Sequence, residues 1–515
     1  MADLSGRCPG CRRQSCDGCG LYRERKKEEN GADEKRKLQA LHTNKQVNLR
    51  FPKGFAAEKG EGLGLCVDAG TTTLAMMLWD LKDGRLLAAE TASNPQAVFG
   101  ADVVSRVQAA EDEKKRKEMQ GLLVRELDEM ALRMIKRIRE EGKDGGELAA
   151  DSSAASQLTV KKVTIVGNAA MCEILLDIKP EGLLCAPFTP DYEGVIYRRG
   201  SELGFAWLGR AKIAVLPPIG GFVGADALAV AGYVGRQEKG AGILAVDIGT
   251  NGEILLQWGG RYLACSAAAG PALEGGAISQ GMRAAEGAID MVCTGGRFPV
   301  QDVVCRVIGG AKPKGICGSG LVDALAVLYR EGILDSSGYM RSPREAKACR
   351  APERLCRRIR DEEGERRFLL TDEKNPVYLK AEDVRQLQLS VSAIRSGMEI
   401  LLKKAGVRAE QLDGIYLAGA FGSYIGIESG IAIGLFPDVP GERIIQAGNL
   451  AGTGAAMALL SSQALREMEE ESRGFEHVEL AREEAFEELF LTHMNFPEKN
   501  FRRENFQREN FQREI

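Results

Sequence analysis

The sequence predicts an α/β protein built from two similar lobes, and three observations carry that expectation. A β-meander occurs twice along the chain. Each copy contains the same Asp-x-Gly-Thr turn. Later in the second half, a further strand runs into a glycine-rich turn.

The first copy reads LGLCVDAGTTTLAMMLWDLKDGRLLAAETA from Leu63, and the second reads GILAVDIGTNGEILLQWGGRYLACSAA from Gly242. Each is an apolar strand ending in Asp, a Gly-Thr turn, a second strand, a two-residue Asp-Gly or Gly-Gly turn and a third strand. Those dipeptides suit tight hairpins because they adopt the backbone angles such turns need. Asp68 and Asp247 stand roughly 180 residues apart, a spacing that suggests a duplicated fold.

The rest of the chain divides around these copies. Residues 1–22 hold a cysteine cluster, and 23–61 read as a charged linker. Residues 62–240 and 241–463 are the expected lobes, 464–500 a C-terminal helical segment and 501–515 a disordered tail repeating FRREN, FQREN and FQREI. Within 103–143, Leu123, Leu127, Met130, Met134 and Ile138 recur at helical spacing and predict an amphipathic helical region. Residues 338–375 are charge-rich and read as a surface insertion.

Bulk properties narrow the function. The net charge of −4 gives no basic field to attract nucleic acid or an anionic membrane. No run of about 18 apolar residues exists, so no membrane span is expected. The polar, cysteine-rich start does not resemble a signal peptide. Most of the 13 cysteines are scattered singly, which fits a reducing cytoplasm better than a disulfide framework.

A strand ending in Asp places a carboxylate at the rim of a sheet, and the glycine that follows, Gly70 or Gly249, frees the backbone to aim successive N–H groups at one point. Thr71, Thr72 and Thr73 in one turn, and Thr250, Asn251 and Gly252 in the other, would complete two phosphate grips facing each other. Asp68 and Asp247 then suit a hydrated Mg²⁺, a hard cation that keeps waters and takes few carboxylates, or the orientation of an attacking water. The strand Asp413 to Leu417 leads into Ala418-Gly419-Ala420-Phe421-Gly422. Small residues there would let adenosine approach the backbone, with Gly419, Ala420 and Gly422 lining it. Gly315 to Gly320 form a similar turn opening a helix, so Gly318 is a further candidate. A nucleotide, ATP, is therefore the expected ligand, although a plain hairpin or helix start would use the same glycines.

These turns resemble the actin-like ATPase superfamily, which includes sugar kinases and Hsp70. More narrowly, VDAGTTT, SNPQAVFGADVVSRV, VGNAAMCEILL, APFTPDYEG, LPPIGGFVGADALA, VDIGTNGEI, AAAGPALEGGAISQGMRA, GICGSGLVDAL, DVRQLQLSVSAIRSG, YLAGAFGSYI and GNLAGTGAAMALLS resemble the reductive activators of corrinoid proteins. The likeness runs from about Gly62 to Pro497. It implies two actin-like lobes with mixed five-stranded sheets and flanking helices. It also implies ATP-driven return of an inactive Co(II) corrinoid protein to Co(I), with the electron coming from an iron–sulfur cluster. A corrinoid protein of a methyltransferase system and an upstream electron donor would be partners, and a homodimer is possible.

The N-terminus departs from that family. Its better-known members carry a ferredoxin domain, whereas this chain has only Cys8-x2-Cys11-x4-Cys16-x2-Cys19. Four thiols so close together cannot be core packing. They suit either an iron–sulfur cluster of the 4Fe–4S kind or Zn²⁺, and the short central gap leans toward the cluster.

Three other functions remain open at the level of sequence. A small-molecule kinase of the same superfamily would need a base, for which Glu253 or Glu274 could serve. An activator of another radical or iron–sulfur enzyme would draw on cysteines inside the ATPase region, such as Cys265, Cys293, Cys305 and Cys317. A scaffold would use nucleotide only to set its shape.

Overall fold

The structure is a computed structural model. It describes residues 49–498, apart from 101, 144–158, 238–241, 297–299, 363, 373, 375 and 423. Cys8, Cys11, Cys16 and Cys19, most of the expected linker and the 501–515 repeats lie outside the described residues. Residues 49–497 fall within one compact unit.

The first meander forms β1 (Leu63–Ala69), β2 (Thr73–Asp80) and β3 (Arg85–Ser93). They are followed by β4 (Val160–Gly167), β5 (Ile196–Arg199) and β6 (Lys212–Val215). These strands make one six-stranded sheet in the order β3-β2-β1-β4-β6-β5. β1 runs antiparallel to β2 and parallel to β4, and β4 runs parallel to β6.

The second meander is β7 (Ile243–Ile248), β8 (Gly252–Trp258) and β9 (Arg261–Ala267). Two small sheets come next. One contains β10 (Ala288–Gly295), β11 (Asp302–Val307) and β12 (Gly315–Ile316); the other contains β13 (Ile359–Glu362) and β14 (Glu365–Leu369), both inside the charge-rich stretch, and β15 (Tyr378–Lys380) just beyond it. Strands β16 (Gly414–Ala418), β17 (Ile444–Gly448) and β18 (Phe475–His477) complete a second six-stranded sheet, β17-β16-β7-β8-β9-β18.

Five strands of each sheet repeat one pattern: β3-β2-β1-β4-β6 corresponds to β9-β8-β7-β16-β17, with matching strand directions. The expected five-stranded plan is thus present in both sheets, and each carries a sixth strand at one edge. β5 pairs antiparallel to β6, and β18 pairs parallel to β9.

The predicted amphipathic region is helical as two pieces, Val103–Ala110 and Glu113–Lys143. The side chain of Asp112 accepts from the Lys115 N–H at 3.0 Å where the second piece begins. Leu123, Leu127, Met130, Met134 and Ile138 are all buried, as their spacing requires. Before β1, Phe51 stacks on Phe55 with ring centroids 4.7 Å apart, and the Glu58 carboxylate accepts from the Ser462 N–H and hydroxyl.

The two sheets are joined by an exchange of helices. The helix Ala225–Val234 follows the first sheet in sequence, yet its residues Ala227, Val230, Ala231 and Val234 share a core with Ile243, Ala245, Leu255 and Ala264 of the second sheet. The helix Leu450–Leu460 follows the second sheet and packs on β1, β2 and β4. The two helices also pack on each other. At their crossing a Cβ on Gly454 would lie 2.1 Å from the Ala229 carbonyl oxygen.

Alanine favours a helix over glycine by about 1 kcal/mol, so Gly454→Ala would stabilise an isolated helix. Here the added methyl meets backbone, which cannot swing aside. Gly454→Ala is expected to lower stability by about 1–3 kcal/mol, read as an earlier urea midpoint with an unchanged slope. A later midpoint would contradict the close crossing.

Candidate active site between the two sheets

The duplicated strands deliver their carboxylates to matching places. Asp68 lies near the end of β1 opposite Ala75 and beside Val166 of β4. Asp247 lies near the end of β7, opposite Glu253 and beside Ala418 of β16. The next residue on the neighbouring parallel strand is a glycine in both halves. A Cβ on Gly167 would meet the Ala69 carbonyl oxygen at 2.5 Å, and one on Gly419 would meet Asp247 Oδ1 at 2.3 Å. Gly419 also has a left-handed φ of 80°, so both its conformation and its space exclude a side chain.

The two predicted turns close in the same way. Gly70 N–H donates to the Thr73 carbonyl at 3.1 Å, and Gly249 N–H donates to the Asn251 carbonyl at 3.0 Å. A Cβ on Gly70 would lie 2.7 Å from that Thr73 oxygen. Thr71 and Thr72 are half-buried and Thr73 is exposed. In the second turn the Thr250 hydroxyl donates to Glu274 at 3.1 Å. Gly252 opens β8, where a Cβ would meet Ile394 at 3.0 Å.

The glycine-rich turns come together as well. Gly419–Gly422 form a short helix after β16, and a Cβ on Gly422 would press on the Leu417 backbone at 3.2 Å. The Gly318–Arg330 helix begins against this turn: a Cβ on Gly318 would lie 1.7 Å from the Leu273 carbonyl oxygen and 2.8 Å from the Phe421 ring. Packing alone therefore demands glycine at 318, whatever binds nearby. Ala420 lies within the same short helix.

Sequence reasoning missed a third acid. Asp226 stands in the first turn of the Ala225–Val234 helix and accepts from the Ala227 N–H at 2.8 Å. Its only signal was an acid directly after the glycine-rich stretch Gly220 to Ala225, and nothing in the local pattern separates that from an ordinary helix start.

Asp68, Asp226, Asp247 and Glu253 form one negative cluster. Burial pushes Asp68 well above the usual carboxylate range, with Asp226 and Asp247 adding to the effect. Burial, then Asp226 and Glu274, pushes Asp247 up to about 7. Burial pushes Asp226 up to about 6. Glu253 is raised well above its ordinary value by burial, then by Asp226 and Asp247. All four keep part of their surface open, as side chains at the floor of a cleft would. None takes part in an ion pair among the described residues. Nor does any group of three or more His, Cys, Asp or Glu among the described residues form a ready metal cage. The arrangement fits a cation that keeps most of its waters, the usual habit of Mg²⁺.

Elsewhere, Cys265 and Cys317 are buried singly, and Cys293 and Cys305 lie on neighbouring strands β10 and β11; none of the four is in a disulfide. No helix among the described residues is long and apolar enough to cross a membrane.

With this geometry in view, the comparisons with known proteins are specific. Residues 63–239 match the family model described as the RACo middle region, and residues 241–507 match the one described as the C-terminal domain of RACo, the ASKHA domain. The chain belongs to the RACo family. The ASKHA domain has the actin-like ATPase fold, in keeping with the repeated sheets. Among RACo relatives, the corrinoid activation enzyme RamQ of Eubacterium limosum is 33% identical over 440 residues, covering 84% of this chain and 70% of that protein. The [Co(II) methylated amine-specific corrinoid protein] reductase of Methanosarcina barkeri is 26% identical over 322 residues, covering 58% of this chain and 54% of the reductase. A solved structure, a reductive activator for corrinoid, iron-sulfur protein, aligns with a TM-score of 0.71 at 29% identity, covering 86% of this chain and 67% of that one.

The raised carboxylates link stability to pH. Asp247 ionises less readily in the fold than in the unfolded chain, so its stabilising protonated form is fully present below pH about 4 and is lost as pH rises through about 7. The nucleotide-free protein is expected to lose melting temperature between about pH 4 and pH 7 relative to Asp247→Asn, whose amide does not titrate, and to level off above that. Parallel profiles for the two proteins would contradict the shift.

Proposed function

We propose that this RACo-family protein is an ATP-dependent reductive activator that returns an inactive Co(II) corrinoid protein to Co(I). The observation that carries the reading is the meeting of two duplicated Asp-Gly-Thr turns over carboxylates that lack cationic partners. A site built this way favours a nucleotide delivered with its own cation.

In this reading Asp68 and Asp247 would hold a hydrated Mg²⁺ ion, and one of them would orient the attacking water. Mg²⁺ would supply neutralisation of phosphate charge. Gly70, Thr71, Thr72 and Thr73 grip the phosphates from one side. Gly249, Thr250, Asn251 and Gly252 face them from the other, with Glu274 steering the Thr250 hydroxyl. Gly318, Gly419, Ala420 and Gly422 line the adenosine side, where small residues permit close approach. Glu253, a candidate base for a kinase, stands opposite Asp247 and serves here as part of the negative floor.

Hydrolysis removes one anchor between the turns. The exchanged helices then let the two sheets shift as bodies, a conformational use of nucleotide energy on the corrinoid partner. Cys8, Cys11, Cys16 and Cys19 would hold the iron–sulfur cluster, and the cluster would supply the single electron that cobalt accepts. Zn²⁺ on the same thiols has no redox chemistry and could not do so.

Asp247→Ala is expected to reduce ATP hydrolysis by about a hundredfold or more while the far-UV circular dichroism stays unchanged. Wild-type turnover in that variant would refute the role of Asp247. Anaerobically purified protein should contain about four irons per chain, as a 4Fe–4S cluster requires. Its reduced-state EPR signal should vanish in a Cys8→Ser, Cys11→Ser variant. Zinc without iron would place the electron source on another protein.

A further inference from the structure

The first phosphate turn is held from behind in an unusual way. Four successive carbonyls are all occupied by donors from the protein: Gly70 O by Asn94 Nδ2 at 2.9 Å, Thr71 O by Arg106 Nη1 at 2.7 Å, Thr72 O by Asn94 N–H at 2.9 Å and Thr73 O by Gly70 N–H at 3.1 Å. With every carbonyl turned back, the turn offers its amides and hydroxyls to the opposite side. No hydrogen bond among the described residues uses the Thr71 or Thr72 N–H.

Arg106 is the odd member of this set. Its residue exposure is 1%, and no carboxylate lies within ion-pair distance among the described residues. Its Nε donates to the Gly100 carbonyl at 3.0 Å, and Nη1 also approaches Met171 Sδ at 3.4 Å. The exposed Asp102 attracts it from beyond ion-pair distance, but burial outweighs that attraction, and a buried guanidinium with no carboxylate in contact is costly to keep. Neutral carbonyls and a thioether offset that cost only in part. A polyanion bound just beyond Thr71 would offset it much better. Among the described residues no cation is bonded to the second turn: the Thr250 hydroxyl donates to Glu274 instead. The two turns are alike in backbone and opposite in the charge behind them.

We propose that Arg106 is a positioning residue that locks the Gly70–Thr73 turn for phosphate and lends it a buried positive charge, so that the first lobe carries most of the affinity for the phosphate chain. This rests on the reading of that turn as a phosphate site. Asn94 shares the positioning work but not the charge, and Met171 holds both side chains against each other.

Equilibrium binding of MgATP and of adenosine, measured in parallel on the full chain, tests this. Arg106→Gln is expected to weaken MgATP by roughly ten- to a hundredfold, the range for a lost charge-assisted hydrogen bond, and to leave adenosine affinity within about twofold of wild type. Arg106→Lys keeps the charge and loses the fork, so it should recover part of the MgATP affinity. It also provides the test if the glutamine variant does not fold. Unchanged MgATP affinity in Arg106→Lys and in any folded Arg106→Gln overturns the proposal. So does an equal loss for adenosine and MgATP, which a merely structural arginine would give. Failure of wild type to bind MgATP at all would instead remove the nucleotide reading on which the proposal stands.

Discussion

The crossing of the Ala225–Val234 and Leu450–Leu460 helices governs the rest of the molecule. The Leu450–Leu460 helix leaves the second sheet and packs on the first, the Ala225–Val234 helix packs on strands of both, and Gly454 against the Ala229 carbonyl keeps the two helices close. That exchange sets the distance between β1 and β7, and with it the facing of Asp68 and Asp247. It also carries Asp226, at the start of one crossing helix, into the same cluster. A single packing constraint thus assembles acids from three segments far apart in sequence.

The cluster is expensive without a ligand. Like charges opposed across a strand pair, Asp247 and Glu253, destabilise the sheet they sit in. Burial is the larger cost: it raises both carboxylates first, with Asp226 adding to each, and functional sites are where such costs concentrate. On the lobe I side, Asp68 faces the neutral Ala75, and the nearby turn is backed by Arg106 rather than by an acid. The duplicated backbone therefore supports unequal halves. In our reading one binds phosphate more strongly, and the other carries more of the charge that a cation must neutralise.

Much of this was legible in the sequence. The repeated meander gave the duplicated sheets, because period-two apolar strands and two-residue turns are local signals. Gly70 and Gly419 stood out because their tight turns leave no room for a side chain, whereas Gly249, read the same way, has space for one. The sixth strands were not legible: β5 and β18 are short edge pieces with no apolar run of their own. The helix exchange was hidden for a different reason. Sequence shows which face of a helix is apolar, but not which of two similar sheets will cover it. Asp226, Asn94 and Arg106 escaped notice because their roles come from contacts across the fold: Arg106 meets Thr71 and Asn94 meets Gly70.

The most direct test of the account is a visible-absorption assay of a Co(II) corrinoid protein mixed with this protein under anaerobic, reducing conditions. The account predicts conversion to Co(I) with MgATP and none when a non-hydrolysable ATP analogue replaces it. Conversion at the same rate without nucleotide, or no conversion of any corrinoid protein from the methyltransferase systems tried, would contradict it.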